Sequence, residues 1–486
     1  MSTAYKYFLL VIIAAVLFLP MAQHKFDLFE TTILEGDITI AQKTEFNSDN
    51  YWSLKWQDDF TKYINDNFGF RSWFVRLNNQ IRFSVFNCTK APGVVIGKNG
   101  ELFIESYIDD YIGRNFIGRS KIGETVSKIK ALQDSLKSLN TDLIVVFAPG
   151  KASYYPELIP DTYIRKMKDS TNYNVYANEF LKNKINFIDF NKWFFNNKTK
   201  FKHPVYPKFG THWNHYGMNL AMDSLIKYIE KKRNINIPDY DFSLLNYSPV
   251  LKGNDYDIGI LTNLLFPLDK DANPYPVYKF KGGQNYTRPN VLVVGDSYWY
   301  CLVGENLPIK FFSIDEYWFY NRDLVVNNGK KDNAVKNLNL FNSLAQRDAI
   351  ILLATEATFY MFPYGFADEA YKAVNKKIKD GVRRKAYLPA LVERIKNTKE
   401  WMADIEKKAK EKNIGINEMI LLDANYIFET EYCKPEYVAA IDEIKVRMWN
   451  TPEWIAQMRQ KAKEKNISFQ EMIELDAKYD YETHPQ

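Results

Sequence analysis

The strongest constraint on the fold is a set of four short apolar runs rich in β-branched residues. They are DLIVVFAP at Asp142–Pro149, INFIDF at Ile185–Phe190, NVLVVGDS at Asn290–Ser297 and DAIILLATE at Asp348–Glu356. Continuous apolar runs of this length suit strands buried on both faces. Helical patterns lie between them, so the spacing predicts an α/β domain with a mostly parallel sheet flanked by helices. In such sheets ligands bind beyond the carboxyl ends of the strands. The first places to look for chemistry are therefore Gly150-Lys151, Gly295-Asp296-Ser297 and Thr355-Glu356.

Ahead of the sheet, Tyr51 to Asn87 carries aromatics every three or four residues, which predicts two helices with a turn near Asn67–Gly69. GVVIGKNGELFIES then reads as a hairpin turning at Lys98-Asn99-Gly100, and an amphipathic helix is expected from about Ile122 to Leu139. At the start of the chain, Tyr7 to Gln23 is an uncharged run of 17 residues preceded by Lys6. That reaches the lower length limit for a membrane-spanning helix and has no clear A-x-A cleavage site after it. Residues 1–23 are thus expected to be a membrane anchor or a signal segment, with the bulk of the chain exported.

The C-terminal hundred residues are different in kind. Residues 397–429 realign on 450–482 with 20 identities in 33 positions, an internal duplication at an offset of 53. Each copy reads as two helices. In the second, Thr451 is placed to N-cap with Pro452 at the first helical position, and Trp454, Met458 and Ala462 share a face. Asn466 can close that helix, and Ser468 with Glu471 has capping-box spacing for the next. Two copies are few for a free-standing array, so they should pack on each other or on the α/β domain, as a docking module or as a structural cap. The expected organisation is an anchor or signal at 1–23, an α/β domain at 24–385 and an all-helical duplicated module at 386–486.

Composition narrows the chemistry. Lys plus Arg is 64 against 59 for Asp plus Glu, a balance without the clustered basic charge a nucleic acid requires. Aromatic residues make up 16%, which suits apolar sugar faces as well as cores. Cys88, Cys301 and Cys433 are too few and too scattered for a disulfide framework or a CxxC metal pair. Histidine occurs only at His24, His203, His212, His215 and His484, so few imidazoles are available as a base.

Ser297 follows an apolar strand on a turn opened by Gly295, where its hydroxyl can meet a substrate. A serine hydroxyl is a weak nucleophile until a base takes its proton. The segment KFGTHWNHYGMNLAMDSLIKYIEKK offers that base in His212, on a loop ahead of a helix beginning near Asn214. Backbone N–H groups near Ser297 could stabilise an oxyanion. His215, within the helix, fits a packing or hydrogen-bonding residue. A zinc site from His203, His212 and His215 is disfavoured, because HxxH spacing and the lack of a nearby Cys or carboxylate supply too few ligands.

These segments resemble the alginate O-acetyltransferase family of the AlgX and AlgJ type, with a permuted SGNH-hydrolase-like fold. The resemblance spans roughly Asn50 to Ala367 and rests on FTKYINDNFGFRSWFVRLNNQIRFSVF, VVIGKNGELF, VVFAPGKASYYPELIP, GTHWNHYG and VLVVGDSYW in that order. It implies Ser297 as nucleophile and His212 as the histidine of a D-x-H-W motif, with the aspartate of that motif falling at Gly210. Three arrangements stay open. Another carboxylate substitutes, Glu356 being the first candidate; a Ser–His dyad suffices; or the protein only binds its polymer. Asn321 and Arg322 lie where the family has substrate-contacting polar residues, and Tyr298 and Lys151 are further candidates for oxyanion or substrate contacts.

The resemblance implies an exported, membrane-associated O-acetyltransferase at the periplasmic face of a bacterial inner membrane, or free in the periplasm. Its acceptor would be a cell-surface or secreted polysaccharide. Its acetyl groups would come from a multi-spanning membrane-bound O-acyltransferase, and no cofactor or metal is expected. An esterase on the same fold and a non-catalytic polysaccharide-binding or scaffold protein are the alternatives.

Overall fold

The computed structural model describes residues 3–36, 38–268, 271–281, 285–314, 316–326 and 329–484. The chain divides into two compact units, Met1–Asp368 and Glu369–Gln486. The boundary falls earlier than the 385/386 junction expected from sequence. Phe366–Asn397 is one unbroken helix that begins upstream of that junction.

Each helical pattern of the N-terminal part folds as a helix: α1 (Thr3–Phe26), α2 (Lys55–Asp66), α3 (Arg71–Phe86) and α4 (Arg119–Lys137). α2 and α3 are separated where Gly69 was expected to break them. The Asn-Gly hairpin is present, pairing Val94–Ile96 with Leu102–Ile104. Its turn holds Asn99 and Gly100 at φ 58° and 71°, a left-handed region these two residue types tolerate best.

The central sheet has seven strands: β1 (Asp142–Phe147), β2 (Phe187–Asp189), β3 (Val291–Gly295), β4 (Glu316–Phe319), β5 (Asp323–Val326), β6 (Gly329–Lys331) and β7 (Ala349–Ala354). Their spatial order is β6-β5-β4-β3-β7-β1-β2. β4, β3, β7, β1 and β2 are parallel, and β5 and β6 extend one edge antiparallel. The four apolar runs are β1, β2, β3 and β7. β3 and β7 are buried along their whole length at the middle of the sheet, which is why they lack polar alternation. Helix α5 (His215–Arg233) buries Met218, Ala221, Met222, Leu225 and Ile229 in the same core as β1, β3 and β7. α6 (Tyr298–Gly304) follows β3 directly and buries Trp299 and Leu302 there.

The second unit holds most of α7 (Phe366–Asn397), then α8 (Lys399–Lys412), α9 (Ile416–Ile427), α10 (Pro435–Trp449), α11 (Pro452–Glu464) and α12 (Phe469–Thr483). The duplication is real at the level of bonds. The Trp401 indole donates to Asp423 at 2.6 Å, and Trp454 donates to Asp476 at the same distance. Lys408 and Lys461 sit against those same carboxylates. Ser468 and Glu471 form the capping box, and Asn466 takes φ 49° after α11. Thr451 caps through its backbone position alone, because its hydroxyl donates back to the Arg447 carbonyl. The cores around the two copies are joined by Tyr387 of α7, which donates to the Glu474 carbonyl, and by Tyr437 of α10 and Leu475, which pack against both.

Candidate active site

Ser297 and His212 lie 85 residues apart in sequence and meet at the carboxyl end of β3. The Ser297 Oγ to His212 Nε2 distance is 2.9 Å. On its other side, His212 Nδ1 lies 2.8 Å from Oδ2 of Asp257. A carboxylate can only accept, so Nδ1 donates to Asp257 and Nε2 is left to accept from the serine hydroxyl. The result is a continuous line from acid to imidazole to nucleophile, the geometry that activates a serine for acyl transfer.

Asp257 was not among the residues singled out from sequence. It begins the short helix Asp257–Leu261, which belongs to no strand end and carries no motif. Its Oδ1 accepts the Thr211 N–H at 2.8 Å, so one carboxylate holds both the histidine and the backbone ahead of it. The Phe209 carbonyl accepts from the N–H groups of Ile258 and Gly259, which docks the start of this helix on the histidine loop.

Gly210 explains the displaced acid. A Cβ at 210 would lie 2.6 Å from the Asn254 carbonyl oxygen and 3.0 Å from the Asp255 carbonyl carbon. The segment that carries Asp257 therefore occupies the space a side chain at 210 would need. An aspartate at 210 and this path for residues 254–257 exclude each other sterically, and the chain has the second.

Glu356 does not reach His212. Its oxygens lie 2.7 and 2.5 Å from Ser153 Oγ, and Oε1 accepts from the Asn191 amide. Burial, with Asp110 and Asp189 adding repulsion, pushes its carboxyl up to about 8 against the hydrogen bonds from Ser153 and Asn191. It is a protonated structural acid near neutral pH, and Asp257 takes the place proposed for it.

Lys151 is neither a polymer contact nor a solvated loop lysine. It is 2% exposed, and its Nζ lies 2.9 Å from each of the Leu102, Pro207, Lys208 and Gly210 carbonyls and 2.8 Å from Glu101. Burial pulls its pKa down against the Glu101 carboxylate. It ties the loop before His212 to the hairpin strand at Leu102.

Tyr298 supports the histidine rather than the substrate. Its hydroxyl donates to the Thr211 carbonyl at 2.9 Å, and its ring packs 4.9 Å from the imidazole and 5.2 Å from Trp213. Its N–H goes to the Asp296 carboxylate. Asp296, fully buried, also accepts from the Thr355 N–H and hydroxyl and from the Thr358 hydroxyl, pinning the nucleophile turn to the turn after β7. Arg322 forms a two-point pair with the adjacent Asp323, and the Asn321 amide donates to the Tyr364 carbonyl. Neither of the two lines the cleft over Ser297.

That cleft has a volume of about 340 Å³, and Ser297, His212 and Asp257 open onto it with Ser106, Tyr107 and Tyr320. Tyr360, Met361, Ile258 and Leu261 give it an apolar rim.

The other histidines have separate roles. His215 is the first residue of α5, and its Nε2 lies 3.0 Å from Glu305. Burial works against its charged form, but Asp255 and Glu305 outweigh that and raise its pKa to about 9. His203 bonds the Tyr247 hydroxyl. The three rings therefore take different partners and do not converge.

Residues 94–252 match the family model for an SGNH hydrolase-like domain, acetyltransferase AlgX. The matched stretch holds Lys151, Gly210 and His212 and stops short of Asp257 and Ser297. Among solved structures, the O-acetyltransferase domain of Pseudomonas putida AlgJ is similar over 58% of this chain and 99% of its own, at 17% identity and a TM-score of 0.39. Pseudomonas aeruginosa AlgX is similar over 57% of this chain and 66% of its own, at 17% identity and a TM-score of 0.38. Bacillus cereus PatB1 is similar over 50% of this chain and 91% of its own, at 12% identity and a TM-score of 0.32. No curated protein sequence matches the chain. Residues 94–252 are thus similar to an SGNH hydrolase-like domain of the AlgX kind, and they supply β1, β2 and the histidine loop to the mostly parallel sheet of the first unit.

Proposed function

We propose that this protein is an O-acetyltransferase that moves an acetyl group through Ser297 to hydroxyls of a polysaccharide. The observation that carries the reading is the unbroken hydrogen-bonded line Asp257–His212–Ser297 at the floor of an open cleft. In the first half-reaction Ser297 Oγ attacks the acetyl carbonyl while His212 Nε2 takes its proton, and Asp257 stabilises the imidazolium. The tetrahedral adduct then collapses, the donor's leaving group departs with the proton from His212, and acetyl-Ser297 remains. In the second, a sugar hydroxyl attacks the acetyl-serine as His212 removes its proton. Collapse returns that proton to Ser297 Oγ and releases the acetylated sugar. Every proton stays on groups of this chain or its substrates, so the proposed cycle uses no cofactor.

The match of residues 94–252 to the AlgX acetyltransferase model supports an acyltransferase, and the resemblance of the sequence segments to the alginate O-acetyltransferase family implies a polysaccharide acceptor. The apolar N-terminal helix supports a place at the outer face of a membrane. Activated acetyl groups made in the cytoplasm would then have to be passed across by a multi-spanning acyltransferase. The glycine at 210 was the feature favouring a non-catalytic binder, and a carboxylate on His212 Nδ1 removes that support. Water in place of the sugar would make the same site an esterase.

The test is an assay of the purified full chain with an activated acetyl ester, with and without oligosaccharide acceptors. Acetyl-serine should accumulate at Ser297 without acceptor and discharge when acceptor is added. Ser297→Ala and His212→Ala should each lose the acyl-enzyme and the transfer. Unchanged turnover in Ser297→Ala overturns the acyl-serine route, and release of acetate that acceptors never divert assigns the esterase.

A further inference from the structure

Helix α3 is built inside out for a helix surrounded by water. Its polar side faces protein. The Asn79 amide is buried and donates to the Thr262 and Asn263 carbonyls. The Arg76 guanidinium donates to the carbonyls of Ile33 and Leu264, and Gln80 accepts the Phe266 N–H. The opposite side carries Trp73, Phe74, Leu77, Ile81 and Val85, which are 44–69% exposed. At about 100° per residue these five fall within roughly 120° of the helix circumference. Ser84, interspersed on that arc, and Asn78, just beyond its edge, are uncharged. A helix of a water-soluble domain buries its apolar stripe and exposes its polar one. Here α3 turns Arg76, Asn79 and Phe83 to protein and leaves a wide apolar stripe uncovered, and a continuous exposed apolar surface of this kind marks a contact with something apolar.

What covers it is indicated by where α3 begins. Ala4–Phe26 is a 23-residue helix with mean hydropathy 2.1 and little burial, long enough to cross a bilayer. Gly69, just before α3, is pressed against the end of that helix. A Cβ there would lie 2.0 Å from the Pro20 carbonyl oxygen and 2.9 Å from the His24 nitrogen. Phe70 packs on Phe29 and on Trp73, both with ring centroids 5.7 Å apart. A cluster of aromatic rings at the end of a spanning helix is the composition of the membrane–water interface. The exposed stripe of α3 therefore starts at the level where α1 leaves the hydrocarbon.

We propose that α3 lies along the membrane surface, with Trp73, Phe74, Leu77, Ile81 and Val85 seated at the boundary of headgroups and acyl chains. It is a second lipid contact, distinct from the α1 anchor. The occupant is lipid rather than protein because the stripe is continuous with the anchor and carries no charged side chain for a partner to read. Arg71 is already paired with Asp66, and Arg76 is spent on protein carbonyls. The contact should thus depend on apolar insertion and be insensitive to salt.

The experiment uses the full chain in nanodiscs of phosphatidylethanolamine and phosphatidylglycerol, with Cys88, Cys301 and Cys433 replaced by serine. A polarity-sensitive fluorophore is attached through Leu77→Cys, Ile81→Cys or, as the exposed control on α4, Lys137→Cys. Doxyl groups on the lipid chains should remove most of the emission at 77 and 81 and leave 137 bright, while aqueous iodide should do the reverse, at low and high salt alike. Iodide quenching at 77 and 81 without lipid quenching overturns the proposal in favour of a free surface. Protection from both quenchers overturns it in favour of a protein, a second copy or an integral membrane partner. This outcome is independent of the acyl chemistry, since the probes report burial rather than turnover.

Discussion

At the scale of single residues, the site turns on which carboxylate holds His212. A catalytic imidazole needs one nitrogen protonated and held so that the other can accept from the nucleophile. Asp257 does this from a segment that Gly210 admits. Asp257→Asn should therefore lower turnover by about 10⁴, the cost of neutralising the corresponding acid in a serine-protease triad. Gly210→Asp placed on that variant should not rescue it, because the new side chain collides with the Asn254 carbonyl; rates of acetyl release would check both. Glu356 gives the opposite expectation, with Glu356→Gln keeping turnover near wild type. The sign of its stability effect follows from a folded pKa of about 8 against an ordinary 4.5. The folded state keeps the proton over that window and the unfolded state does not, so stability is fully present below about 4.5. It declines as pH rises toward 8, by at most about 1.4 kcal/mol per pH unit. Urea midpoints measured from pH 5 to 8 should fall in wild type and fall less steeply in Glu356→Gln, where Asp110, which burial raises to about 7, still gives a decline of the same sign. Ser297 and His212 were legible in the sequence because each sits beside a recognisable element, a buried strand or a helix start. Asp257 was not, because it lies on no strand end and its identity depends on a steric vacancy 47 residues earlier.

At the scale of elements, the histidine loop is held from several sides at once. Lys151 gathers the carbonyls of Pro207, Lys208 and Gly210, Tyr298 takes that of Thr211, and the Asn214 N-cap starts α5. Backbone carbonyls turned inward need donors, and a loop without regular structure cannot supply its own. Replacing Lys151 with methionine leaves Glu101 and four carbonyls without their shared donor. The expected loss is about 3–5 kcal/mol, as for a buried ion pair broken on one side. Denaturant unfolding would measure it, and turnover should drop with it because His212 rides on the same loop. A lysine on a turn after a strand looks like a ligand contact in sequence, and only its reach to five oxygens shows otherwise. The elements themselves were readable. Runs without polar alternation became β1, β3 and β7, and the duplicated segments rebuilt the same Trp–Asp bond twice. The small edge strands β5 and β6 escaped, since three or four residues of mixed polarity carry no period to detect.

At the scale of the whole molecule, the open alternative from sequence was an anchor kept or a signal removed. The end of α1 is integrated into the first unit. Gln23 is buried, its amide donates to the Phe29 carbonyl and its oxygen accepts the Phe29 N–H. Gly69 leaves room for the backbone at Pro20 and His24 and for nothing larger. Cleavage after the apolar run would strip the backbone of Pro20 from its seat on Gly69 and separate Gln23 from Phe29. On these contacts we propose that α1 is kept as an anchor that orients the domain. The protein isolated from membranes should accordingly retain α1, as peptide mapping of residues 1–26 would show, and stay in the pellet after alkaline carbonate. Aspartates at Ile12 and Val16, near the middle of the apolar run, should release it to the supernatant, since each charge at the centre of a spanning helix costs roughly 2.5–3.5 kcal/mol on insertion scales. Recovery of a shortened chain that begins beyond Gln23 would instead identify a cleaved signal, and the contacts of Gly69 would then belong only to the precursor.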